Sequence, residues 1–398
     1  MQTGHTERTG EGSWMKKQNR GPYILAAGAG VQLLTGIPAA WGAFQRPVMQ
    51  GYGLSRGQAM LVFAVLVASY GVGCAVGGLL QDRRGPRAAG LWGTALLSGG
   101  FLAAALVPAG NAPMFLLVYS LPAGVGSAFL APAVLACAQK WYQKKKGWAT
   151  GVTGVAMGLS GAFYTLFVRL VGGQWGIRIC FAALGLLMLI VCGSGATVLQ
   201  DPPRPGQAAP LPGIDYRQMI RTKQYKLCVA AVALSAPPVL LFSPEIYTIA
   251  ADRGLPENLA PFSIVLGSAA SAAGRLLCPA GSDHWGRKRV LYGVYLGLAA
   301  GSVGFAFARG GWVLASYALL TFFYSGGAAV QPALNTDLFG LRHAGVNYGF
   351  IALGMSAGSL LSYVGSQALP LTARHWLAGG CALAGLFCVR LVKPAAKS

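Results

Sequence analysis

Apolar runs of about twenty residues alternate with short polar segments along almost the whole chain. The runs fall at about 23–44, 58–80, 88–108, 113–138, 148–170, 177–198, 226–248, 258–280, 289–308, 312–335, 345–367 and 375–392. A helix rising about 1.5 Å per residue needs about twenty apolar residues to cross a hydrocarbon core roughly 30 Å thick, so each run predicts one membrane-spanning helix. The run from Tyr23 is too long for a signal peptide and shows no cleavage site, so it is expected to remain as the first span. The stretch QDPPRPGQAAPLPGIDYRQMIRTKQYK, from Gln200, carries too much proline and charge to cross lipid and is expected to link two sets of six spans.

Composition agrees with this pattern. Of 398 residues, 54% are hydrophobic and only 10% charged, with mean hydropathy +0.53. Soluble domains carry about 25% charged residues, so this chain lacks the polar side chains to cover a water-facing surface. Its formal net charge of +21 does not suggest nucleic acid, because the basic residues sit in short clusters between apolar runs. The positive-inside rule accounts for them better. Lys16, Lys17, Arg20, DRRGPR from Asp82, QKWYQKKKG from Gln139, the linker, DHWGRKR from Asp283, and Lys393 with Lys397 mark one side. The alternate loops carry mostly single charges, such as Arg178, Arg253, Arg309 and Arg374. Both termini are therefore expected in the cytoplasm, and the protein in the cell membrane, plasma or inner.

Several chemistries are missing. Most of the eight cysteines lie within apolar runs and none forms a CxxC pair, so they are expected to be small buried hydrophobes. The four histidines, His5, His284, His343 and His375, have no ligand spacing. No catalytic triad or phosphate-binding glycine-lysine loop is present, so neither an enzyme, a metal site nor a cofactor is expected.

The chain also repeats itself. LLQDRRGPR after the second run is echoed by AGSDHWGRKR after the eighth, matching Asp82 to Asp283 and Gly85 to Gly286. KWYQKKKGWATG after the fourth is echoed by DLFGLRHAGVNYG after the tenth. Two loops recurring in corresponding positions of the two half-chains argue for two six-helix halves related by duplication. The expected fold is an all-α membrane protein with twelve transmembrane helices in two six-helix bundles. The divisions are a cytoplasmic tail (1–22), a first bundle (23–198), a cytoplasmic linker (199–225), a second bundle (226–392) and a short tail (393–398).

The spacing Gly78-x-x-x-Asp82-Arg83-x-Gly85-x-Arg87 resembles the loop 2–3 signature of the major facilitator superfamily, and Asp283-x-x-Gly286-Arg287-Lys288 its second-half counterpart. More narrowly, GAGVQLLTGIPAAWGAF, KWYQKKKGWATG, AGRLLCPAGSDHWGRK and YSGGAAVQPALNTDLFG resemble the oxalate/formate antiporter family and the related monocarboxylate transporters. The resemblance implies secondary transport of a small organic anion by alternating access, with a lipid bilayer around a monomer and protons as a possible partner. The alternative is an antiporter for a drug-like or other organic solute.

One residue stands out on its own chemistry. Arg275 interrupts the apolar eighth run eight residues before Asp283, or about 12 Å along a helix axis. An arginine at such depth costs about 2.5–3.5 kcal/mol on the insertion scale and cannot be deprotonated. It either packs against helix carbonyls or aims its fork of donors into a central cavity, where it matches a carboxylate. Gly267, Ser271 and Gly274, near its helical face, would leave room for a ligand. The family resemblance aligns Arg275 with an anion-binding arginine.

Two departures from the family shape the substrate expectation. Ser271 stands where many members have asparagine, and Leu353 in ALG where oxalate-handling members have the lysine of AKG. One fixed positive charge suits a monocarboxylate such as lactate or formate better than oxalate. Gln32, Tyr119 and Tyr324 join Arg275 and Ser271 as candidate substrate-binding residues, and Tyr164, also within a span, could hydrogen-bond a substrate or a neighbouring helix. Asp82, Arg83, Gly85, Asp283, Gly286 and Arg287 are expected to gate, the aspartates capping helix N-termini and pairing with loop arginines. Glu245 is expected either as an interfacial residue or as a gate or proton site. Asp337 and Arg342 are expected to pair with each other.

Overall fold

The computed structural model describes residues 21–142, 146–202 and 213–393. Most of the predicted N-terminal tail, the proline-rich heart of the linker and most of the C-terminal tail lie outside the described residues, as do Lys144 and Lys145 of the basic loop after the fourth run.

All twelve predicted spans are helical. The first is broken into Gly21–Thr35, a 3-10 turn Ile37–Ala40 and Trp41–Tyr52. The second and third run as Arg56–Ala105, broken at Gly85. The fourth covers 112–141, the fifth 146–172, and the sixth follows in Gly173–Val198, broken at Gly176. The seventh is broken into Lys223–Ser235, Pro237–Leu240, Ser243–Glu245 and Ile246–Asp252. The eighth to tenth are Phe262–Trp285, Arg287–Phe307 and Trp312–Phe339. The eleventh joins Ala344–Ile351 to Leu353–Ala368, and the twelfth is Leu371–Leu391.

Each half has its own apolar core. Trp41, Phe44, Phe101, Phe115 and Phe181 anchor the first, and Phe242, Tyr295, Leu298 and Phe305 the second. The halves meet along two seams of small residues, where neighbouring backbones come close enough to pack without large side chains. In one, Gly154, Gly158 and Gly161 of span five face Arg275, Ala272 and Ser268 of span eight. In the other, Gly71 and Gly78 of span two face Ser356 and Val346 of span eleven. Ser356 Oγ donates to the Ala68 carbonyl (2.6 Å), and Ser359 Oγ to that of Ala64 (2.9 Å).

The internal repeat is visible in the backbone. Gly85 and Gly286, matched by sequence, turn the chain between spans two and three and between eight and nine with φ of +82° and +88°. Both lie where side-chain-bearing residues are strained. Spans one and seven, also corresponding, are both broken near their middles. Pro38 sits in the first break and Pro237, Pro238 and Pro244 in the second; none can donate the backbone bond that a continuous helix needs.

Gly85 offers a clean test, because a Cβ there would meet no heavy atom within 4 Å. Gly85→Ala should cost about 1–3 kcal/mol from backbone conformation alone. Gly99→Ala, equally unobstructed but at an ordinary helical site, should be neutral or stabilising. Thermal unfolding of the purified proteins in detergent separates them; equal midpoints would rule out the strain argument.

Candidate functional site

A cavity of about 160 Å³ lies between the halves. Spans one, two, four and five line it on one side, and seven, eight, ten and eleven on the other. The breaks in spans one and seven contribute directly, through Thr35, Gly36 and Pro38 and through Val239, Leu240 and Ser243. Interrupted helices in corresponding positions of two repeats are where transporter folds place solute.

Arg275 lines this cavity as the one charged side chain among its described lining residues. It forms no ion pair or hydrogen bond with any described residue, and its buried Nε has no acceptor. It does not therefore serve as a packing arginine bonded to helix carbonyls. Tyr70, Tyr324 and Tyr348 line the same cavity. An unpaired guanidinium at this depth is a strong anion attractor, because a buried charge without a partner is costly.

The other predicted residues divide. Gln32 lines the cavity and is held by its Nε2 donating to the Ala131 carbonyl (3.1 Å) and its Oε1 accepting from Thr35 (3.1 Å). Ser271 also lines it, its hydroxyl 2.6 Å from that of Ser325, as does Tyr324. Tyr119 does not. Its ring is sealed in the first core against Phe101, Phe115 and Phe181, with Trp41 at 5.9 Å. Tyr164 is likewise internal, donating to the Leu34 carbonyl (2.6 Å). Leu353 is not a lining residue either. It opens the second helix of span eleven just after the break at Ala352, while Tyr348 and Met355 hold the cavity face. Tyr70, Tyr348, Thr150 and Thr153 line the cavity without having been singled out by the sequence.

The signature loops make the expected aspartate–arginine pairing in the second half but not the expected helix caps. Asp283 pairs with Arg287 one turn on (2.5 Å), which also reaches Asp337 (3.4 Å). No side chain caps the helix that starts at Arg287. Asp337 thus pairs with Arg287 rather than Arg342. Asp82 faces His343 across the two halves (3.6 Å). Burial pushes its carboxyl above the usual carboxylate range and His343 pulls it back down. Arg83 forms no ion pair among the described residues.

On the opposite face a stronger link joins the halves. Glu245, in the break of span seven, is buried, its side chain only 3% exposed. It accepts from Arg374 of span twelve (3.1 Å) and from Arg56 at the start of span two. The arms differ. Arg374 is 11% exposed and also donates to the carbonyls of Leu369 (3.0 Å) and Ser366. Arg56 is 62% exposed and crosses from one half to the other. Nearby, Arg46 stacks over Tyr247 at 4.3 Å.

A model of the Major Facilitator Superfamily matches residues 25–363. The chain belongs to that superfamily. Among major facilitator proteins, it is 24% identical over 358 residues to the oxalate:formate antiporter of Oxalobacter formigenes, covering 86% of this chain and 83% of that one. It is 25% identical over 346 residues to the uncharacterized MFS-type transporter YhjX of Escherichia coli strain K12, covering 83% of each. An uncharacterized 38 kDa protein in the 23S RNA operon of Thermoproteus tenax is 27% identical over 342 residues, covering 85% of this chain and 86% of that one. The structure of a D-xylose-proton symporter superposes with a TM-score of 0.68 at 18% identity, and FucP in its outward conformation with 0.66 at 14%. Each covers 93% of this chain, and they match 98% and 99% of the symporter and of FucP. The protein is thus a multi-pass membrane transporter of the major facilitator fold, not an enzyme.

The unequal arms of Glu245 predict unequal losses. Glu245→Ala strands the buried Arg374 and should cost about 3–5 kcal/mol. Arg56→Ala removes an exposed partner and should cost about 1 kcal/mol or less. Thermal melts of the two variants compare them, and a larger loss from Arg56→Ala would contradict the assignment of arms.

Proposed function

We propose that this transporter carries small monocarboxylates, of the lactate or formate type, in preference to oxalate. The unpaired Arg275 guanidinium in the cavity carries the reading. It presents a planar fork of donors that a carboxylate matches bidentately. Tyr70 from the first half and Tyr348 and Tyr324 from the second surround it, so a bound anion would touch both halves and favour their closure around it.

Charge supports the monoanion. One carboxylate neutralises Arg275; a second would enter the cavity without a partner. At an effective dielectric of about 20, two unit charges at 4 Å interact by about 4 kcal/mol, so the missing partner would cost a dianion orders of magnitude in affinity. Size supports a small solute. The cavity, at about 160 Å³, is below the roughly 300–1,000 Å³ of sites for drug-sized ligands. The similarity to the oxalate:formate antiporter of Oxalobacter formigenes supports a carboxylate but leaves the choice among them to the cavity.

The positive-inside bias of the basic loops supports cytoplasmic termini; in this reading the protein works as a monomer in a plasma or inner membrane. In that orientation the Arg56–Glu245 link shuts the outer side. Because Arg374 retains Glu245, opening can break the Arg56 arm without leaving the carboxylate unpaired. On the inner side, Asp82–His343 and the Asp283–Arg287–Asp337 cluster around Gly85 and Gly286 form the opposing gate, with Arg83 supplying loop charge. Gln32 and Ser271 complete the polar lining.

Uptake by proteoliposomes tests the reading, using labelled formate, lactate and oxalate with and without a pH gradient. Wild type should favour the monocarboxylates. Arg275→Ala should abolish uptake, and Arg275→Lys, which keeps the charge but loses the fork, should weaken affinity at least tenfold, equivalent to about 1.4 kcal/mol. Met355→Lys should raise the relative uptake of oxalate. Normal carboxylate uptake by Arg275→Ala would sink the assignment.

A further inference from the structure

Behind Tyr324, Tyr348 and Met355 lies a second pocket of about 20 Å³, within the second half between spans seven, nine, ten and eleven. It shares these three residues and Ala328 with the central cavity. Its volume is about that needed to hold one water molecule or one substituent oxygen.

The pocket is polar where it matters. Gln331 lines it and is only 6% exposed, yet no hydrogen bond ties its amide to another described residue. Leaving an amide unsatisfied in this interior is unfavourable, so its donor and acceptor call for a polar partner. The next residue, Pro332, has no N–H, so the carbonyl of Ala328 loses its helical donor. Ala328 lies on the boundary between pocket and cavity. Of the hydroxyls lining it, Ser235 donates to the Val232 carbonyl (2.8 Å) and Tyr295 to that of Ala231 (2.6 Å), while those of Tyr324 and Tyr348 bond to no described residue and face the space shared with the cavity.

We infer that this pocket receives the 2-hydroxyl of a 2-hydroxy monocarboxylate whose carboxylate is bound by Arg275. The inference rests on the monocarboxylate reading and extends it from charge to substituent. A hydroxyl both donates and accepts, which answers the Ala328 carbonyl and the Gln331 amide together. A 2-oxo group only accepts and would satisfy one of them. A methyl would satisfy neither and would displace whatever water the amide holds. Tyr324 and Tyr348 line both the Arg275 cavity and the pocket, so one small substrate can reach from one to the other. Gln331 is thereby a specificity-determining residue on a helix that also carries Tyr324.

Initial-rate uptake of labelled lactate, propionate and formate by proteoliposomes tests this. Propionate has the carbon skeleton of lactate without the hydroxyl, and formate cannot reach the pocket. Wild type should show a KM for lactate about tenfold below that for propionate. Gln331→Leu should bring that ratio close to one and leave formate unchanged. Val294→Ile, which narrows the pocket from span nine without touching the central cavity and keeps Gln331, should do the same. A wild-type ratio near one would overturn the inference, as would a ratio that survives in both variants or a loss of formate uptake in step with lactate. Failure of the parent reading looks different: wild type would take none of the three acids, or Arg275→Ala would take them all.

Discussion

An arginine that can be neither deprotonated nor paired from within the chain is the constraint around which the rest is arranged. Arg275 sits at membrane depth with a buried Nε that has no acceptor, in a cavity that offers no carboxylate among its described lining residues. Such a group is tolerable where water or an anion reaches it and costly where neither does. On the proposed reading it ties the closing of the two halves to what the cavity holds. The seams beside it are made for close approach: Gly154 of span five packs directly on the Arg275 side chain, and Gly158 on Ala272 one turn away.

The access routes follow from the two interrupted spans. Prolines break spans one and seven at corresponding places, and the broken segments line the cavity before bending away. Glu245 lies in one of these breaks, so its ion pairs act on a segment already freed from continuous helical bonding. At the other end, Gly85 and Gly286 let the chain turn sharply enough to bring Asp82 opposite His343 and Asp283 onto Arg287.

Much of this was legible from hydropathy. The twelve spans, the division into halves and Arg275 all stand out because each is a break in, or a repeat of, a strong periodic signal. The residues that were misread gave no such signal. Tyr119 and Tyr70 are both single tyrosines in apolar runs. One faces an aromatic core and the other the cavity, and only the packing of neighbouring helices separates them. Leu353 was picked out by the likeness of ALG to AKG, and a matching motif does not reveal that the helix breaks at Ala352 and leaves Tyr348 and Met355 on the cavity face. Glu245 stayed open between an interfacial and a gating role because its arginine partners lie 189 and 129 residues away in sequence. Gln331 is one amide beside a proline in an apolar span, and its meaning depends on a pocket formed by four spans.

The central claim is that a carboxylate's charge, rather than the bulk of its carrier, is what the cavity binds. Ligand-induced stabilisation of the purified protein addresses it directly. A ligand at a hundred times its Kd stabilises the folded state by about 2.7 kcal/mol, enough to move a thermal midpoint by several degrees. Lactate should raise the midpoint, and its methyl ester, of similar shape but without the charge, should not. Equal shifts from acid and ester would contradict the account.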